Sequence, residues 1–286
     1  MTGRRFSLAR LKAMPQALAI TMAVLVVVVA AVASATLAHH PGRAAAHGGT
    51  TTGVNGGVDG GKGGGKGGGS GEGADPATHK PTVAPVPDSI QHQPEAPGRA
   101  VNITIDDGPD PVWTPKVLQV LKDNGVHATF CMIGPQAKAH PDLVRAVVAA
   151  GHRLCDHTVS HDESMDHKPF AYQQKEIMDA LDMIQDAAGG APVQYYRAPG
   201  GAFTPASRAL AAQHGMRPLG WNIDTKDFSR PGVATIMQTI KYEIHNGPTI
   251  LFHDGGGDRS QTVEALEQAL PWLKQQGYAF SFPKVK

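Results

Sequence analysis

Between Ala100 and Phe282, short apolar runs rich in β-branched residues alternate with helical patterns. No other feature narrows the possible folds as much, because strands joined through crossover helices must run parallel. Strands are expected from Val101 to the adjacent pair Asp106-Asp107, then at Val126–Ile133, His152–Cys155, Val193–Tyr196, Met216–Ile223, Thr249–Phe252 and Tyr278–Phe282. Helices fit residues 113–124, where Gly125 supplies the left-handed cap, then Pro141 to near Gly151, 170–188, 205–214, 233–246 and 262–276. About seven β/α units are too many for half a Rossmann fold and slightly few for a closed eight-stranded barrel. The expectation is an α/β chain folded as a distorted or incomplete (β/α) barrel.

In such barrels the chemistry gathers at the carboxyl ends of the strands. Each expected strand end here carries a polar cluster: Asp106-Asp107, His157-Thr158-Val159-Ser160-His161, Arg197-Ala198-Pro199-Gly200-Gly201, Asp224-Thr225-Lys226-Asp227-Phe228 and Leu251-Phe252-His253-Asp254. Two carboxylates as close as Asp106 and Asp107 ionise together only beside a positive group, either a divalent metal or an arginine. His157 and His161, four apart, fit one metal from a tight loop or a helical turn. One carboxylate completes a three-ligand site with open positions for water.

Outside this region the composition changes. Arg4, Arg5, Arg10 and Lys12 precede an uncharged stretch from Ala13 to Ala38. Basic then apolar is the pattern of an export signal, and residues 1–41 are read as a signal peptide or a membrane anchor. Ala33-Ser34-Ala35 would suit a signal peptidase, yet the apolar run is also long enough to span a bilayer uncut. Residues 42–98 are Gly, Ser, Pro, Thr and Ala with almost no large apolar residue, so they are expected to be a disordered linker. Residues 99–286 are left as the catalytic domain. A formal net charge of +1 gives no sign of nucleic-acid binding. The two cysteines, Cys131 and Cys155, are an even count in a chain read as exported. They fall on successive parallel strands, so a disulfide is expected, with two buried thiols as the alternative.

Thr104-Ile105-Asp106-Asp107-Gly108-Pro109 resembles the first motif of the polysaccharide deacetylases. These are metal-dependent carbohydrate esterases, with the NodB homology domain, that act on chitin, chitooligosaccharides, peptidoglycan and acetylxylan. The His-Thr-x-x-His, Arg-x-Pro, Asp-x-x-Asp-aromatic and Leu-x-His motifs follow in family order, and the match runs from about Ala100 to Phe282. The resemblance implies Asp107, His157 and His161 as metal ligands and Asp106 as general base, held ionised by Arg197. It implies His253 as general acid, oriented by Asp227, with Leu251 and Phe228 lining an acetyl pocket and the Gly200 N–H as oxyanion donor. Three positions depart from the family pattern: Ile105 for the usual Phe, Asp156 for Asn and Phe228 for Trp. Asp156 either adds charge near the metal or points into solvent.

The expected activity is therefore export followed by hydrolysis of N-acetyl groups on an amino-sugar polymer or oligomer, either peptidoglycan or chitooligosaccharide. Zinc is the first choice of metal, with cobalt or another divalent ion as alternatives. An acetylxylan O-esterase and a non-catalytic cell-wall-binding module are the rival readings. A monomer at the cell surface or secreted is expected, touching the membrane only through its N-terminal segment if that is uncut.

Overall fold

The computed structural model describes residues 83–286. The basic and apolar N-terminal segment and the linker up to residue 82 lie outside the described residues. No helix among the described residues is long and apolar enough to cross a membrane.

Eight strands form one sheet: β1 (Ala100–Asp106), β2 (Thr129–Met132), β3 (Arg153–Asp156), β4 (Val193–Tyr196), β5 (Arg217–Pro218), β6 (Ile223–Asp224), β7 (Thr249–His253) and β8 (Ala279–Phe280). The order is β5-β4-β3-β2-β1-β7-β6, with β8 also on β1, and each paired strand runs parallel to its neighbour. The α-helices are α1 (Thr114–Asp123), α2 (Gly134–Ala139), α3 (Pro141–Ala149), α4 (Phe170–Ala187), α5 (Pro205–Gln213), α6 (Val233–Glu243) and α7 (Ser260–Gln275). Short α2 carries too few residues to show a periodicity and is not among the expected helices.

The run Met216–Ile223, expected as one strand, is two. β5 lies at one end of the sheet order and β6 at the other. Five residue steps from Pro218 to Ile223 reach at most about 17 Å, so the two edges must face each other across that gap. The sheet is thus curled into an incomplete barrel, and residues 219–222 cross its open seam.

Period-2 alternation sorts the side chains of β1. Val101, Ile103 and Ile105 join the large apolar cluster that also holds Leu121, Val144, Ile177, Ile240 and Leu266 from the surrounding helices. Asn102, Thr104 and Asp106 take the other face, towards the barrel interior. Thr104 Oγ1 donates to Ile250 O at 3.0 Å. A second, small cluster of Cys131, Cys155, Tyr195 and Leu219 fills the interior, with Val285 packed against it. Cys131 and Cys155 are opposite each other in the β2–β3 register and are disulfide-bonded.

The linker boundary at residue 98 is corrected by the packing of residues 83–98. Val86 N–H donates to Ala212 O at 3.0 Å, Gln91 N–H to Pro218 O at 2.8 Å and Glu95 N–H to Phe282 O at 2.8 Å. Glu95 pairs with Arg153 at 2.6 Å, and Pro94 is buried. Composition hid this strap because main-chain hydrogen bonds to distant residues of α5, β5 and the C-terminal tail hold it, and composition does not register such bonds.

Candidate active site

The site sits where β1, β3, β4, β6 and β7 end. In the β1–β7 register Asp106 lies directly opposite His253, so two titratable groups face one cleft from adjacent strands. Beyond β1 the chain turns at Gly108, where any Cβ would collide with the carboxylate of Asp254. That carboxylate is buried and pushed up to about 7 by its burial; its Oδ2 accepts from Thr114 Oγ1 at 2.5 Å. Asp254 thereby fixes the turn that presents Asp107.

Asp106 is buried, and Arg197 Nη1 donates to its Oδ1 at 2.7 Å. Burial raises the Asp106 pKa and the guanidinium opposes that rise, so the carboxylate is a stronger base than an exposed one while keeping a counter-charge. Arg197 itself is fully buried. Its other donors meet Thr104 Oγ1 at 2.9 Å, Leu219 O at 3.2 Å and Gly220 O at 3.0 Å.

The Asp107 Oδ1 atom is 3.6 Å from His157 Nε2 and 3.3 Å from His161 Nε2. It is buried without a hydrogen-bond partner. An orphaned carboxylate oxygen facing two imidazole nitrogens is what a divalent cation would satisfy, so the residues present fit such an ion. His157 Nδ1 lies 2.8 Å from Arg197 O, a carbonyl that can only accept, so Nε2 carries the lone pair. Burial pushes the His157 pKa down to about 3, which keeps the ring neutral and able to ligate.

A loop with left-handed Thr158 (φ 68°) and His161 (φ 54°) brings the two histidines together. Two buried carboxylates hold it. Glu176 Oε2, from α4, accepts from the N–H groups of Val159 at 3.1 Å and Ser160 at 2.8 Å, and from Ser160 Oγ at 3.0 Å. Asp156 Oδ1 accepts from Thr158 N–H at 2.8 Å. Asp156 therefore neither points into solvent nor joins the cluster of candidate ligands; burial raises its pKa well above the ordinary carboxylate value.

His253 Nδ1 meets Asp227 Oδ1 at 2.7 Å, and Asp227 Oδ2 accepts the His253 main-chain N–H at 2.9 Å. Thr225 and Thr262 hydroxyls also donate to Asp227, at 3.1 and 2.7 Å. Burial alone would lower the His253 pKa, but its bond to Asp227 and the nearby carboxylates raise it to about 9. The ring is protonated at neutral pH.

These groups line a cleft of about 460 Å³ whose walls include Gly200, Trp221, Phe228 and Leu251. Gly200 adopts φ 57° in the turn after β4, a conformation that favours glycine. Phe228 is exposed, its ring edge-on to His253 with centroids 5.2 Å apart, while Leu251 is buried. Arg259 donates to Gly255 O at 2.5 Å, Gly256 O at 3.0 Å and Phe228 O at 3.0 Å, tying the Phe228 turn to the loop after β7.

All the residues singled out in the sequence as catalytic, metal-ligating or substrate-binding thus line or directly support one cleft. The supporting roles of Glu176, Asp254, Arg259, Thr262 and Trp221 were missed. Glu176 and Thr262 lie inside helices and carry no motif of their own; only contact in space reveals them.

Residues 93–219 match the family model described as polysaccharide deacetylase. The chain is 35% identical over 189 residues to a chitooligosaccharide deacetylase of Sinorhizobium fredii, covering 63% of this chain and 87% of that protein. It is 37% identical over 187 residues to a peptidoglycan-N-acetylglucosamine deacetylase of Bacillus cereus, covering 64% and 85%. A family 4 carbohydrate esterase from Streptomyces lividans, solved in complex with acetate, has a TM-score of 0.58 at 30% identity, with 65% of this chain and 93% of that one covered. On these matches the chain belongs to the polysaccharide deacetylase family.

Proposed function

We propose that this chain is an exported, divalent-metal-dependent hydrolase that removes N-acetyl groups from N-acetylglucosamine units of peptidoglycan or chitooligosaccharide. The observation that carries the reading is the pairing of Asp106 and His253 across β1 and β7, in the same cleft as the orphaned Asp107 oxygen. A divalent ion held by Asp107, His157 and His161, zinc by choice of donors, supplies Lewis-acid activation of water and of the amide carbonyl.

Asp106 takes the proton of the attacking water as its oxygen bonds to the carbonyl carbon. Arg197 holds that carboxylate in place. The Gly200 N–H faces the developing oxyanion. His253 gives its proton to the amide nitrogen as the C–N bond breaks, and acetate and a free amine leave. A general acid with a pKa of about 9 suits an amide better than an ester, because an amine cannot leave as its anion. Leu251 and Phe228 enclose the acetyl methyl.

The test is acetate release from chitooligosaccharide, peptidoglycan and acetylated xylan, using enzyme stripped of metal and then reloaded with zinc or cobalt. Release from an N-acetylglucosamine substrate that stops on chelation and returns with metal is expected. Release from acetylxylan alone would replace this reading with an O-esterase, and no release from any loaded sample would replace it with a binding module. Export is tested by locating the chain in cell fractions and sequencing its mature N-terminus.

A further inference from the structure

We infer that the strap formed by residues 83–98 is a positioning element for the general base, acting through residues 218–220 and Arg197. The inference rests on the reading of Asp106 as that base. Arg197 reaches Asp106 with one nitrogen, and the orientation of its fork is set by the others. Two of its acceptors, Leu219 O at 3.2 Å and Gly220 O at 3.0 Å, belong to the segment that crosses the barrel seam. This segment lies between strands of only two residues each, so it has little sheet of its own to hold it.

Gln91 supplies what the sheet does not. It forms a parallel bridge with Leu219: its N–H donates to Pro218 O at 2.8 Å and its carbonyl accepts Gly220 N–H at 3.0 Å. His92 O then accepts from Thr249 Oγ1 at 2.6 Å, which anchors the strap to β7, the strand that carries His253. The His92 ring packs against Gly220, where a Cβ would collide with its Nε2. Burial, then the charge of Arg197, lowers its pKa, so the ring beside the guanidinium is neutral.

A fully buried guanidinium cannot replace lost carbonyl acceptors with water, and a bond of 3.2 Å tolerates little lengthening. Displacing the strap therefore turns the Arg197 fork and moves the carboxylate it holds. The ligands Asp107, His157 and His161 have no contact with the strap among the bonds described above. The predicted signature is a fall in kcat with metal content and KM unchanged.

The experiment is a double-mutant cycle in the full-length, metal-loaded protein. Gln91→Pro removes the N–H that bonds Pro218 O, and kcat is expected to fall on the order of 10- to 100-fold. Arg197→Lys keeps a positive charge near Asp106 but lacks the fork that reaches both carbonyls. In that background, Gln91→Pro is expected to change kcat by less than about twofold. An unchanged kcat in folded Gln91→Pro, or an equal loss in both backgrounds, overturns the inference. Should Gln91→Pro fail to fold, Gly220→Ala drives His92 off the seam and is read by the same cycle. A wild type inactive on every acetylated glycan would instead overturn the deacetylase reading, whereas an active wild type with unaffected strap variants overturns only this inference.

Discussion

Asp106 and Asp107 are neighbours in the chain, yet the fold gives them opposite circumstances. Asp106 ends β1 with its side chain in the barrel interior, where a buried arginine meets one of its oxygens at 2.7 Å. Asp107 follows with φ 77°, which swings its carboxylate towards two histidines and leaves Oδ1 without a partner. One carboxylate has a fixed cation from the protein; the other, on the proposed function, would share one from outside. On the proposed mechanism, a single peptide step separates a proton-handling arm, Asp106 with Arg197, His253 and Asp227, from a metal-holding arm, Asp107 with His157 and His161. The lesson is that charge at a strand end is given its surroundings by the residues that other strand ends bring beside it.

The strongest challenge to this division is Asp107→Asn. With two histidines left, bound metal and activity should fall together towards background, and excess metal should restore part of both. Metal per protein measured beside acetate release decides it. Asp106→Asn should keep its metal and still lose roughly 10²–10⁴ of its rate, with no rescue by added metal. If Asp106→Asn were the variant stripped of metal, the two arms would have to be exchanged.

Within the proton-handling arm, Asp227→Asn removes the carboxylate that raises the His253 pKa to about 9. In the wild type, activity should fall as pH rises through about 9; in the variant that limb should move down towards the ordinary histidine value of 6.5. The rate at pH 8 should drop by about tenfold or more while the rate at pH 6 changes less. Stability follows the same sign. Because the folded pKa lies above 6.5, the His253–Asp227 pair contributes fully below that pH and loses its contribution as pH rises through about 9, which thermal melts across this window would read.

The smallest expected effect concerns the metal-holding arm. Glu176→Gln keeps an acceptor for the loop N–H groups but weakens bonds that were charge-assisted. Metal affinity should fall by about tenfold with little change in kcat once the site is saturated. A zinc titration followed by kinetics at saturating zinc separates the two, and an unchanged affinity would remove Glu176 from this arm.

The strap teaches the complementary lesson about what a sequence conceals. Residues 83–98 look like linker because Pro, Gly and polar residues offer little apolar area, and composition measures only that area. Their main-chain groups nevertheless pair with Pro218, Gly220 and Phe282, partners that are far away in the chain. The Met216–Ile223 run misled for a related reason. Its apolar residues fit a strand, but where a strand breaks to cross a barrel seam depends on how far the sheet has curled. Asp156 shows the same limit at a single residue, since its side chain serves the turn at Thr158 and this was invisible until the loop's path was known.

By itself the sequence determined the alternation of strands and helices, the parallel sheet, and the residue types at each strand end. These follow from local periodicity and from motifs of a few residues, where the cause lies within a turn or a strand of the effect. It also held the family motifs that name Asp106, Asp107, His157, His161, Arg197, Asp227 and His253. Only the tertiary structure decided that β5 and β6 close opposite edges of the barrel and that the strap completes its seam. It alone showed that Glu176, Asp254 and Arg259 hold the loops of the site. Those arrangements depend on which distant main-chain and side-chain groups remain unsatisfied after the sheet has curled, and no window along the chain contains both members of such a pair.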